Sequence, residues 1–238
     1  MGARPGPVFV VNPNSTLAVT EGIDRALDAL RHPEAPEIRC LTLAEGPPGI
    51  ETQAHIDAVV APLCRLAVEL EGEVGAFVIA CFSDPGLAEL RAASKRPVFG
   101  IAESAYRKAA EAPGRFGILS IVEASVARHR RYLERVGLLD ALAGDRPVEM
   151  AVEALADDVG ASLARLTEVG KAIVEEDGAE ALVLGCTSMA PFKDDLSSVL
   201  GVPVIEPSQA AVAEAIAAQA RSRFAKGGTA ISREEKFG

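Results

Sequence analysis

The chain has 238 residues, of which 49% are hydrophobic and 24% charged, with a formal net charge of −10. That length suits one large domain or two of about 100 residues, and the apolar content excludes global disorder. The acidic balance, with no run of Lys and Arg large enough to offset it, argues against a nucleic-acid partner.

In chain order, short β-branched runs alternate with Ala-rich helical stretches. A strand is predicted at Pro7–Val11, then a turn at Asn12-Pro13-Asn14-Ser15-Thr16 and a helix from Val19 to Arg31. Residues 37–43 form the next strand, and a Gly/Pro loop at 46–49 leads into a helix over 53–71. Further strands are predicted at Phe77–Ala80, Val98–Ile101, Phe116–Ile121, Val148–Met150, Leu182–Leu184 and Val204–Ile205. Continuous apolar strands alternating with helices indicate an α/β fold with parallel sheets covered on both faces. After Ala218 the chain turns polar, and residues 219–238 read as a frayed, partly disordered tail. No apolar stretch approaches the roughly 18 residues that span a bilayer, and the N-terminus shows no charged-then-apolar leader. A soluble, cytoplasmic protein with no membrane partner is expected.

The halves of the chain resemble each other. Gly75–Ser83 (GAFVIACFS) aligns with Glu180–Ser188 (EALVLGCTS), an offset of 105 residues from Cys81 to Cys186. Pro97–Ile101 matches Pro203–Pro207 at 106, and Pro7–Asn12 resembles Arg115–Ser120 at 108. Three matches at nearly one offset indicate two pseudo-repeats, each an α/β unit. The predicted division is residues 1–97 plus about 208–238 for the first domain and 98–207 for the second.

In open parallel sheets, ligands sit at the carboxyl ends of strands. Cys81 and Cys186 both fall there, one per repeat, so a pseudo-two-fold axis would set the two thiols on opposite sides of one ligand. Two equivalent groups on opposite faces of one carbon suit racemisation: one thiolate removes an α-proton and the opposing thiol returns one. Backbone N–H groups and hydroxyls at 82–83 and 187–188 could stabilise the enolate-like intermediate. A cysteine at a strand end is often only a small buried hydrophobe, but the matching positions favour function. Cys40, in a strand, and Cys64, in a helix, read as packing residues. His32, His55 and His129 match no metal-ligand spacing, and no Gly-rich phosphate loop stands out, so neither metal nor cofactor is expected. His55, His129 and the Arg128–Arg131 run read as solvent-facing helix positions.

At these residues the sequence resembles the aspartate/glutamate/hydantoin racemase superfamily, and within it the hydantoin racemase branch, which includes allantoin racemases. The resemblance is carried by VNPNST at 11–16, ACFSDPGL at 80–87, PVFGIAESA at 97–105, LVLGCTSMA at 182–190 and PVIEP at 203–207. It implies two similar α/β domains with the active site between them, commonly assembled into homo-oligomers. It also implies that Cys81 and Cys186 are the two acid/base thiols of a cofactor-independent racemase, and that Asn14, Ser15, Phe82, Ser83, Ser120, Thr187 and Ser188 line the ligand site. The glutamate racemase branch has a His where this chain has Ser188, and an acidic residue where this chain reads Asn-Pro-Asn. Both departures favour a neutral cyclic ureide over a free amino acid, whose ammonium wants an anionic partner. Ser83 stands where Gly is usual in the hydantoin branch, and Thr187-Ser188 where small residues are common, which bears on the substrate's side chain. The alternatives are an aspartate or glutamate racemase, a maleate-type cis–trans isomerase or, from a different class, a non-catalytic ligand-binding or thiol-redox module. Possession of both thiols argues against an arylmalonate-type decarboxylase, which keeps only the second.

Overall fold

A computed structural model describes residues 6–150 and 154–231. The first half runs β1 (Val8–Asn12), α1 (Leu17–Ala26), β2 (Ile38–Thr42), α2 (Gln53–Glu69), β3 (Ala76–Ile79), α3 (Leu87–Ala93), β4 (Val98–Gly100) and α4 (Ile101–Ala110). The second runs β5 (Phe116–Ser120), α5 (Glu123–Val136), β6 (Leu142–Pro147), α6 (Ala154–Asp157), α7 (Val159–Glu175), β7 (Ala181–Leu184), α8 (Lys193–Leu200), β8 (Val204–Ile205) and α9 (Pro207–Ile231). A 3-10 turn, Thr187–Phe192, joins β7 to α8.

The two halves have one topology. Their sheets are ordered β2-β1-β3-β4 and β6-β5-β7-β8, and every pairing is parallel. Strands β1, β3, β5 and β7 are buried almost throughout, which is why they read as unbroken apolar runs. Alternate side chains serve two layers. Val8, Val10, Ala76 and Val78 of one sheet and Phe116, Ile118, Ala181 and Val183 of the other enter a single central core. Phe9, Val11, Phe77 and Ile79 face an outer layer with α2, while Leu182 and Leu184 face its counterpart with α7.

Helices α4 and α9 fill the centre. They pack on each other, and each also packs across the junction: α4 on β7 and β8, α9 on β1, β3 and β4. Ala102, Ala105 and Ala109 of α4 and Ala211, Val212 and Ala215 of α9 are completely buried there. Their small side chains permit the close helix approach that the two sheets require. Helix α9 thus lies on the first sheet although it follows the last strand of the second. Strand β4 pairs with β3, so residues 98–100 lie in the first sheet.

Three further expectations shift. The fourth strand of the second sheet is β6, not Val148–Met150. Its sequence, LAGDRP, is polar because it is a half-exposed edge strand with a bulge opposite Phe116/Gly117. Val148 is buried and its N–H bonds Ser120 O, but the ladder ends at Glu149, whose φ is +53°. Helix α1 stops at Ala26 and gives way to a 3-10 turn, Asp28–Leu30. Helix α9 continues to Ile231, well past the point where polar composition suggests fraying. Residues 232–238 lie outside the described residues.

Candidate active site

From β1 the chain moves outward to β2 and then crosses to β3 on the other side of β1. Connections therefore diverge from the carboxyl ends of β1 and β3, which opens a crevice there. The same holds at β5 and β7. The loops at these points carry residues 12–16, 80–86, 120–122 and 185–188, so both cysteines singled out from the sequence lie at switch points.

Cys81 and Cys186 are half-buried free thiols. Cys81 Sγ lies 3.3 Å from Ser83 Oγ, and Cys186 is hydrogen-bonded by Ser188. Burial pushes both thiols above their ordinary range; Ser83 and Ser188 partly counter it. Cys81 is raised further by the charges of Asp84 and of Cys186. The two repeat-related thiols are thus near enough for the charge of Cys186 to bear on Cys81. Cys40 and Cys64 pack against the central and outer cores, as expected of them.

The backbone just before Cys186 is tight. Gly185 N–H bonds Leu119 O at 2.8 Å, and a Cβ on Gly185 would lie 2.5 Å from that same oxygen. Gly185→Ala should push β7 away from β5 at the point where the thiol is set, lowering kcat by about tenfold or more while KM changes less. Equal kinetics for variant and parent would show that this spacing does not set the thiol.

The Asn12–Thr16 turn is held from beneath. Buried Asn12 donates through Nδ2 to Asn14 Oδ1 (2.9 Å), Thr20 Oγ1 (3.0 Å) and Thr16 O (3.3 Å). Asn14 Oδ1 also accepts from Thr16 N–H, and Ser15 N–H donates to Pro47 O. Asn14 thus spends its carbonyl oxygen on the turn, while its amide N–H groups and the Ser15 hydroxyl have no protein partner among the described residues. Thr187 and Ser188 are half-buried in the turn that follows Cys186.

Phe82 and Ser120 sit deeper. The Phe82 ring packs edge-to-face on Tyr106 (5.3 Å) and His129 (5.2 Å). Ser120 is fully buried; its hydroxyl donates to Asp145 Oδ1 and lies 3.1 Å from His129 Nδ1. His129 is therefore not solvent-facing: it is 4% exposed, with Asp145 Oδ2 2.9 Å from its Nδ1. It shares a helix face with Ser125, Tyr132 and Leu133, all buried, and that 4-3-1 spacing was the available signal. Arg130 and Arg131 do face solvent. Because Asp145 and Ser120 both meet Nδ1, the three residues form a buried structural cluster rather than a Ser–His–Asp relay, in which the serine would meet Nε2.

Asp84 is a further buried residue at this junction. It takes φ +46° in the turn after Cys81, and its two oxygens accept Ala102 N–H (2.9 Å) and Glu103 N–H (2.8 Å) at the start of α4. Tyr132 O–H of α5 donates to Oδ2 at 2.7 Å. Burial raises the carboxyl to about 6 against these donors. The equivalent helix in the second half is capped by buried Glu206, which accepts Ser208 N–H and Gln209 N–H. Sequence reasoning assigned no role to either acid. No cluster of His, Cys, Asp or Glu that could hold a metal occurs among the described residues, and no described helix is long and apolar enough to cross a membrane.

Two similar α/β halves, each with a free thiol at the carboxyl end of a central strand, define a class of two-domain proteins with internal pseudo-symmetry. The chain belongs to the Asp/Glu/hydantoin racemase family, whose model matches residues 8–215. It is 37% identical over 220 residues to the hydantoin racemase of Paenarthrobacter aurescens, covering 89% of this chain and 91% of that one. It is 36% identical over 203 residues to the hydantoin racemase of Pseudomonas sp. (strain NS671), covering 84% and 80%. Its fold matches the allantoin racemase from Klebsiella pneumoniae with a TM-score of 0.84 and 32% identity, over 93% of this chain and 89% of that one. The protein is accordingly an isomerase of the racemase type.

Proposed function

We propose that the protein racemises 5-substituted hydantoins or a related cyclic ureide such as allantoin, without a cofactor, using Cys81 and Cys186 as its two acid/base groups. The observation that carries this reading is the pair of repeat-related thiols, each at a strand end with its own serine partner two residues on. The thiolate of one cysteine takes the proton from the ring carbon, leaving the electron pair as an enolate on the adjacent carbonyl. The thiol of the other then protonates the opposite face and becomes the new thiolate. Backbone N–H groups at 82–83 and 187–188 are the proposed enolate donors. Asn14, Ser15, Ser83, Thr187 and Ser188 are assigned to the neutral ureide edge, with Phe82 and Ser120 holding the floor beneath the thiols. A ring of amide groups needs no counter-ion, in keeping with the uncharged 12–16 turn, and named relatives act on hydantoin and allantoin. A cytoplasmic homo-oligomer completes the proposal, with sedimentation to read the assembly.

The test is α-proton exchange in D₂O followed by NMR, with polarimetry on the same samples, over both enantiomers of benzyl- and isopropylhydantoin, allantoin, aspartate and glutamate. Exchange with loss of rotation on a ureide is the expected result. Exchange only on an amino acid would overturn the substrate assignment, and no exchange on any of them would overturn the reaction. The pH profile follows from burial. Both thiols ionise above their ordinary range of about 8.5, so kcat/KM should climb with pH through that value and fall once both are ionised. A flat profile from pH 6 to about 10 would exclude a thiol/thiolate pair.

A further inference from the structure

We propose that the two thiols are unequal at rest: Cys186 ionises first, and Cys81 holds the proton that is delivered to the opposite face. This deepens the racemase reading above and rests on it for the second clause.

The asymmetry lies in how the two halves cap equivalent helices. In the first half the carboxylate on the leading amides of α4 comes from Asp84, three residues beyond Cys81 in the same turn; Asp84 N–H also bonds Cys81 O at 2.9 Å. In the second half the carboxylate on the matching amides of α9 comes from Glu206, at the end of β8. The partners have changed places. Gly100, the counterpart of Glu206, has no side chain, and a Cβ there would overlap the Asp84 carboxyl group. Met189, the counterpart of Asp84, is apolar and fully buried in the outer core.

Exchanging these positions moves negative charge onto the Cys81 turn. Among the described residues no Lys or Arg pairs with Asp84, and the further groups facing it are Tyr132, which donates a hydrogen bond, and Glu103. Glu103 is balanced by Arg91 (2.9 Å) and Arg107 (2.6 Å). Glu206 by contrast lies within reach of the Lys193 ammonium at the start of α8, where the first half has Ala88. The Asp84 charge acts on Cys81, whereas Cys186 responds to burial and to Ser188. An anion near a thiol disfavours its thiolate. The shared site then completes the bias, because the second thiol must lose its proton beside the first thiolate.

The ordering is tested on the full-length protein by low-conversion alkylation with iodoacetamide from pH 6 to 10.5, with peptide mass spectrometry giving a rate for each cysteine. Access affects absolute rates, so the apparent pKa of each curve decides. Cys186 is expected to titrate at least about half a pH unit below Cys81, which at pH 8 is a thiolate fraction about threefold larger. Coincident curves, or Cys81 first, would overturn the proposal. Asp84→Asn, which removes the charge but keeps an acceptor for the α4 amides, should lower the Cys81 curve towards that of Cys186 in samples whose melting shows a folded protein; a gap that does not move would overturn the assigned cause. Exchange of a 5-substituted hydantoin in D₂O is run on the same preparation. Its absence would defeat the racemase reading and leave the alkylation order intact, whereas reversed order with exchange intact would defeat this inference alone.

Discussion

Cys81→Ser and Cys186→Ser should each lower racemisation by about 10²–10⁴-fold, the usual contribution of a positioned acid or base. Serine preserves the volume and the link to Ser83 or Ser188, so folding should be unaffected, but its hydroxyl cannot supply an anion near neutral pH. The diagnostic lies in direction. With one thiol gone, the remaining cysteine can still abstract a proton from the enantiomer that presents its proton to that face. Each variant should therefore retain some α-proton exchange on one enantiomer and lose it on the other, with the preference opposite in the two variants. NMR in D₂O on separated enantiomers reads this directly. Near-parental turnover in either variant would end the two-thiol assignment.

Asp84→Ala should be the most destabilising single change at the domain junction. Two buried N–H groups of α4 and the Tyr132 hydroxyl would lose their acceptor together. An unsatisfied buried donor costs about 1–3 kcal/mol, so a total near 3 kcal/mol is expected even after relaxation. For a chain of this size that corresponds to a fall in Tm of about 10 °C. The effect should depend on pH with a definite sign. The folded carboxyl titrates at about 6, above its unfolded value of 3.8. Its contribution from proton binding is thus complete below 3.8 and is lost as pH rises through 6. Alanine cannot titrate, so the gap between parent and variant should be wider at pH 5 than at pH 7.5. Calorimetry at the two values checks both the size and the sign, and a shift of under 2 °C at pH 5 would remove Asp84 from its bridging role.

What could be read from the sequence follows from where information is local. Strands β1, β3, β5 and β7 declare themselves because sheets covered on both faces demand uninterrupted apolar residues. The thiol pair is legible because the repeat sets Cys81 against Cys186, and the repeated topology of the two sheets agrees with that alignment. Edge strand β6 carries Gly, Asp, Arg and Pro and gives almost no strand signal, since half of it meets solvent. His129 lies in a run of arginines that disguises its burial; the partners that bury it, Ser120 and Asp145, come from two separate strands. The roles of Asp84 and Glu206 were hidden for a related reason. Each satisfies backbone groups of a helix, and Asp84 reaches across 18 and 48 residues of sequence to do so. No periodicity records such a bond.

The reciprocal placement of α4 and α9 bears on how such a chain could arise and how it must fold. Each helix leaves the sheet that precedes it and lies against the other, so half of this chain alone would leave its central apolar layer bare. Two copies of a half-length ancestor could cover each other by trading that helix, and a fusion of their genes would yield the present arrangement with little change in packing. The two halves would afterwards diverge only where equivalence was no longer needed, as they have at Asp84 and Met189. Neither half is an autonomous folding unit on this view, and the cleft is complete only when both have docked.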